Sequence, residues 1–209
     1  KQFHIGAEAA QTMSVSIESA KTSDIGAFTL EGTAHANNVA SAISGSNLTV
    51  EGHLGSATIV LAADDAASAV AAATNALAGS TGVSASAITK AKLSGLEASA
   101  GSVSFTLTGD AAASISATPA SANDLGALRD AINAKSGITG ITSTYNGNTK
   151  SELILTHATG VNIAITSFDT GTNDKDLTVT ALDKDGNAET TSVLNDTAAV
   201  SEATLSTVT

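Results

Sequence analysis

The chain has 209 residues, enough for one or two domains with cores of their own. An apolar fraction of 42% sets it apart from a disordered acidic tail, yet there is no Trp, one Tyr and four Phe, so any core must be built from Ala, Val, Ile and Leu. Twenty acidic against nine basic residues leave a formal charge of −11, the wrong sign for replacing counterions on nucleic-acid phosphates. The absence of Cys removes disulfides, thiol catalysis and thiolate metal sites together. No apolar run approaches the ~18 residues of a membrane-spanning helix. The 41 Ala and 55 Ser plus Thr, close to half the chain, favour thin extended structure with short helices.

In chain order, Phe3 and Ile5, then Met13, Val15 and Ile17, alternate with polar residues, the period of half-buried strands. Residues 6–11 can turn the chain between them, which predicts a β-hairpin. Residues 34–46 are small and polar, with Asn37-Asn38 and Ser44-Gly45-Ser46, and read as a linker. Asp64 or Asp65 can cap a helix whose apolar stripe is Val70, Ala73 and Leu77, with Gly79 placed to stop it. Val103, Phe105 and Leu107 alternate as a strand. Ser121 and Asp124 have capping-box spacing ahead of Leu125, Leu128 and Ile132, which share one helical face, and Gly137 is placed to end that helix.

Residues 138–145 extend again, and Asn146-Gly147 is a hairpin signal. Leu153 and Leu155 alternate, as do Val161, Ile163 and Ile165 beyond a turn at 157–160. A last hairpin joins 177–182 to 188–194 around Asp185-Gly186, and the Ser/Thr-rich end carries Val200, Leu205 and Val208 with no partner set by local pattern. The chain opens at Lys1 with neither an initiator Met nor a signal peptide and stops without a cap, so it reads as a piece of a longer protein.

A repeat runs through the middle. Asn75-Ala76 and Gly79-Ser80-Thr81-Gly82-Val83 recur 58 positions later as Asn133-Ala134 and Gly137-Ile138-Thr139-Gly140-Ile141, and the same shift places Val70 on Leu128 and Ala73 on Ala131. Upstream, Gly55-Ser56-Ala57-Thr58-Ile59 resembles Gly101-Ser102-Val103-Ser104-Phe105 at a shift of 46. That alignment implies about twelve extra residues in the second copy, 110–121, including Pro119, the only proline. The expectation is two similar strand–helix–strand units, about 55–93 and 101–168, and an α+β fold dominated by antiparallel strands with two short helices.

Chemistry finds little to stand on. His4, His35, His53 and His157 are never spaced for a shared metal, and the nearest approach to His-Glu-x-x-His is Glu152 to His157, in a strand and without a second His. Asp183-Lys184-Asp185-Gly186-Asn187 opens like a calcium loop, but positions six and twelve hold Ala188 and Leu194 instead of Gly and Glu, so a hairpin turn is the better reading. Asp169, Asp174 and Asp176 form a solvated acidic run. No Gly-x-Ser-x-Gly elbow and no phosphate-cradling Gly-x-x-x-x-Gly-Lys occurs. The residues therefore nominate no catalytic site, no metal site, no cofactor and no enzyme. Asn47-Leu48-Thr49 and Asn195-Asp196-Thr197 fit the N-glycan pattern by chance.

Three pieces of the chain resemble bacterial flagellin. Phe3-His4-Ile5-Gly6-Ala7, Gln11-Thr12-Met13-Ser14-Val15 and Ile25-Gly26 follow the flagellin pattern F-x-[IV]-G-A-x-x-x-x-x-T-[IM]-x-[IV] closed by a Leu-Gly or Ile-Gly pair, with Ile25 where Leu is commoner. Ala131-Ile132-Asn133-Ala134 followed by Thr139-Gly140-Ile141 is similar to the "IN" motif of flagellins and hook-associated proteins, and Ala73-Thr74-Asn75-Ala76 is its first copy with Thr in place of Ile. Ala203-Thr204-Leu205-Ser206-Thr207 resembles the strand that returns flagellin to its core domain.

The resemblance implies a filament-core stub at 1–32 and 197–209, meeting as strands, and an outer variable region at 33–196. It implies a structural subunit of the extracellular flagellar filament, serving motility. The partners would be other flagellin subunits, bound through regions mostly outside this chain, so that the fragment alone is monomeric, and some of the exposed Ser and Thr would be O-glycosylated. The alternatives are an adhesin or glycan-binding outer domain, with Tyr145 and Phe168 as almost the only rings on which a sugar could stack, or a hook-associated or filament-cap protein.

Overall fold

The computed structural model describes residues 2–4, 12–14, 47–62, 65–97, 101–171, 175–196 and 203–205. Strands β1 (Gln2–His4) and β2 (Thr12–Ser14) pair antiparallel with Phe3 opposite Met13, the hairpin expected at the start of the chain. Its continuation through Val15 and Ile17, the 34–46 linker, Asp64 and Val200 lie outside the described residues.

The fold is α+β, mainly antiparallel β. After β3 (Asn47–Gly52) and β4 (Gly55–Val60) come helices α1 (Ala67–Ala76) and α2 (Ala78–Thr81) and strand β5 (Thr89–Ser94). Then follow β6 (Val103–Thr108), β7 (Ala112–Ala117), α3 (Gly126–Asn133), α4 (Ser136–Thr139), β8 (Ile141–Asn146), β9 (Thr149–His157) and β10 (Ile163–Asp169). β11 (Asp176–Leu182), β12 (Ala188–Asn195) and β13 (Ala203–Leu205) close the order. Each predicted helix is thus a longer helix followed by one separate turn.

Two larger sheets, ordered β13-β10-β6-β7 and β12-β11-β5-β9-β8, share one buried apolar cluster. Alternation does the sorting: Val103, Phe105 and Leu107 of β6 and Ala91 and Leu93 of β5 point inward, and the Ser, Thr and Lys between them stay half exposed. Helix α3 packs against β7 and β8, the edge strands of the two sheets, and closes that side with Leu128 and Ile132, both fully buried, as is Leu125 just before it. In β10 the register slips between Thr166 and Asp169, with Ser167 at φ 55°. The bulge reverses the parity of the strand, so that Ile163, Ile165 and Phe168 all reach the core.

In both copies a two-stranded hairpin is followed by two helical segments, and the alignment differs from the one expected. β7, lying inside the supposed insertion 110–121, is the second strand of a hairpin with β6, as β4 is with β3. Leu48 faces Ile59 as Phe105 faces Ile115, and Val50 faces Ala57 as Leu107 faces Ala113. The shift is therefore 56–58 throughout, and the shift of 46 matched β4 to β6 on composition alone. Copies diverge later: 141–146 form β8, whereas the equivalent 83–88 run outside any strand.

Two capping expectations also change. Gly79 and Gly137 lie inside α2 and α4. The left-handed terminating residues are Gly82 (φ 74°) and Gly140 (φ 70°), one turn further on, because each helix restarts before it ends. At α3, Ser121 closes a local turn by accepting the Asn123 amide, and Asp124 alone meets the helix start, taking the Gly126 amide at 3.0 Å. At α1, Asp65 instead accepts the Ala62 amide, and no side chain caps the helix. The C-terminal strand, left without a partner by local pattern and expected to meet residues 1–32 in a core-domain stub, pairs instead with β10: Ile163 lies opposite Leu205, while β1 and β2 form a two-stranded sheet of their own among the described residues.

Candidate functional site

The most organised polar feature is a joint that occurs twice. In the second copy the Asn133 side chain spans from the end of α3 to β8, accepting the Ser143 amide at 2.7 Å and donating to the Ser143 carbonyl at 2.9 Å. In the first copy Asn75 holds Ala85 the same way, accepting and donating at 2.8 Å. An amide side chain can do both at once because it carries a donor and an acceptor side by side, matching the backbone of one extended residue.

Each joint has a second half. Thr139 bonds back to the Lys135 carbonyl and accepts the Ile141 amide, as Thr81 does with Leu77 and Val83. The carbonyls of Thr139 and Thr81 then accept amides of the hairpin turns, from Asp110 at 2.9 Å and Leu54 at 3.3 Å. The turns come so close that a Cβ on Gly109 would lie 2.1 Å from the Thr139 oxygen, and one on Gly52 1.9 Å from the Thr81 oxygen. The Asn and Thr of the repeat are thus positioning residues that tie hairpin, helix and following strand together. The motif marked the residues; the close glycine partners, 29 and 30 positions upstream, gave no signal of their own.

The candidate chemical residues are scattered. His157 ends β9 almost fully buried, its Nδ1 3.2 Å from the Thr159 hydroxyl and its Nε2 3.3 Å from a carboxylate oxygen of Asp110, without a hydrogen-bond partner. Glu152, on the opposite face of the same strand, pairs with Lys92 at 3.5 Å and accepts from Asn146. His53 sits exposed on the β3–β4 turn beside Gly82, His4 is in β1, and His35 is outside the described residues. Among the described residues no three His, Asp or Glu converge as metal ligands, and no helix is long and apolar enough to cross a membrane.

Asp183 folds its loop around itself. One carboxylate oxygen accepts the amides of Asp185 and Asn187, each at 2.8 Å, and the other accepts the Asn187 side chain. These bonds favour the ionised form and hold its pKa below the ordinary carboxylate value, the Asn187 side chain contributing most. The segment is the hairpin turn between β11 and β12. Asp169 accepts the Gly171 amide, Asp176 accepts from the Asn195 side chain, and Asp174 and Thr197 lie outside the described residues. Of the two rings available to a sugar, Phe168 is in the core and Tyr145 is half-buried under the Arg129 guanidinium, 4.5 Å from its centroid.

Compared with known proteins, the sequence matches no family model and no curated protein.

Proposed function

We propose that this chain is the outer part of a bacterial flagellin, a structural subunit of the extracellular motility filament. The observation that carries the reading is the twice-used asparagine joint. The residues that resemble the flagellin "IN" motif, Asn75 and Asn133, hold the same backbone bridge in both copies. The opening segment that resembles flagellin supports it, since its described residues form a hairpin. The neighbours in this reading are other subunits of the filament, with neither nucleic acid nor membrane as partner. The acidic, hydroxyl-rich composition suits such a surface, because like charge opposes bundling of adjacent filaments. The adhesin reading gains no support from the two rings, Phe168 being in the core and Tyr145 half-buried against Arg129.

Immunogold labelling of the source bacterium with antibodies raised against this chain tests the proposal. Gold along the whole filament supports it. Gold confined to the filament tip or to the hook junction would replace it with a cap or hook-associated protein, and gold on the cell body alone would overturn it.

A further inference from the structure

The turn that joins β8 to β9 carries the one asparagine of the chain that is followed by glycine. Asn146 and Gly147 are both exposed, and a side chain at Gly147, where φ is 60°, would meet nothing beyond its chain neighbours. The Gly147 amide finds no backbone acceptor among the described residues, whereas the Gly186 amide of the Asp185-Gly186 turn donates to the Asp183 carbonyl at 3.2 Å. The ladder is also interrupted just behind the turn. Tyr145 lies opposite Leu153 but Asn146 opposite Thr149, so residues 150–152 of β9 face none of β8. A turn set apart from its ladder in this way can open without unfolding the sheet. The Asn146 side chain is tethered by a bond from its Nδ2 to a Glu152 carboxylate oxygen at 2.6 Å, and Glu152 in turn pairs with Lys92 at 3.5 Å.

We propose that Asn146 is a site of self-modification, deamidating through a cyclic imide at a rate that Glu152 sets. The Gly147 nitrogen attacks Cγ of Asn146, the Cγ–Nδ2 bond breaks, and ammonia leaves with the proton of the attacking amide. Water then opens the imide. Cleavage of the new nitrogen–Cγ bond gives Asp, and cleavage at the main-chain carbonyl gives isoaspartate, with the backbone routed through the side chain. Glycine permits the ring because no Cβ stands beside the attacking nitrogen. The carboxamide must give up its bond to Glu152 to turn toward that nitrogen, so the tether is a brake. The reaction removes the tether for good. A carboxylate at 146 cannot donate to Glu152 and sets a second negative charge against it, with Lys92 left to serve both. The change adds one negative charge to the −11 of the chain and loosens the end of the hairpin.

Incubation of the folded chain in warm, mildly alkaline buffer, followed by trypsin and mass spectrometry, tests this. A sample taken at the start corrects for change during digestion. Cleavage at Lys135 and Lys150 releases residues 136–150, which contain Asn146 and Asn148. That peptide is expected to gain about 1 Da with time, the difference between an amide and an acid, and fragmentation to place the gain on residue 146. An isoaspartyl methyltransferase should label the incubated chain and not the fresh one, and Asn146→Gln should suppress both signals. Glu152→Ala, with an unchanged far-UV spectrum, should speed the gain about two- to tenfold, the worth of one hydrogen bond. No gain at residue 146 over an incubation that deamidates the free peptide 136–150, a gain that falls first on another asparagine, or a Glu152→Ala chain no faster than the parent would overturn the inference.

Discussion

In the second copy of the repeat Phe105 and Leu107 are sealed between β10 and the opposite sheet, whereas in the first Leu48 and Val50 keep contact with water. Yet the joint between hairpin, helix and following segment is the same in both, down to the amide–backbone bridge and the glycine pressed on a threonine carbonyl. The joint is made within each copy: the asparagine bridge spans ten residues and the threonine carbonyl reaches back no more than 30, to the hairpin of the same copy. The depth of the core is not local. It depends on whether a distant strand comes to lie alongside: β10 does so for β6, and no described strand does so for β3.

The largest effect should separate the copies most. Phe105→Ala opens a cavity in the shared cluster and is expected to cost about 3–5 kcal/mol, whereas Leu48→Ala removes a half-exposed side chain and should cost about 1 kcal/mol. Urea unfolding midpoints measure both, and equal losses would break the comparison. Next come the close-approach glycines. Gly109→Ala and Gly52→Ala each push a methyl group into a backbone oxygen, so both should lose about 1–3 kcal/mol by the same assay, and the two losses should be similar. A loss at Gly109 with none at Gly52 would show that the joint of the first copy is not formed.

The asparagine bridges sharpen the comparison further. Asn133→Ala strands the amide and carbonyl of Ser143, a residue only 3% exposed, and is expected to cost about 2 kcal/mol; Asn75→Ala frees groups that water can reach and should cost about 0.5 kcal/mol. Amide exchange at Ser143 and Ala85 reports each bridge separately. The smallest effect lies outside both copies and serves as a control. The folded-state pKa of Asp183 is lowered, so its contribution is complete above the unfolded carboxylate value and is lost as the pH falls through the folded one. Asp183→Asn should therefore reduce stability slightly at neutral pH and converge on the parent chain in acid. A difference that grows on acidification would contradict the bonding described at that turn.

Much of the fold was legible residue by residue. Alternation located β6 and the strands from β8 to β12 but not β7, the one-face spacing of Leu125, Leu128 and Ile132 marked a buried helical stripe, and Asn146-Gly147 and Asp185-Gly186 sit at the turns they signal. The errors share one cause. Matching Gly55-Ser56-Ala57 to Gly101-Ser102-Val103 compared strands by composition, and any two strands of small and β-branched residues resemble each other that way. The glycine expectation failed because Gly79 and Gly137 precede a further helical turn, and a propensity cannot say which of two nearby glycines takes the left-handed position. His157 was a lone residue in the sequence, and only the folded hairpin brings Asp110 to it.

What the sequence determined by itself is therefore periodic and short-range: where most of the strands and helices lie, which face of each is apolar, and that one unit occurs twice. Period-two alternation and 3.6-residue spacing are properties of the chain and its nearest neighbours in sequence. What only the tertiary structure decided is which strand lies beside which: β10 beside β6, β13 beside β10, β5 between β9 and β11. Every strand offers the same backbone hydrogen bonds along its edge, so local pattern cannot distinguish one partner from another. The choice falls to the burial of side chains far apart in the chain.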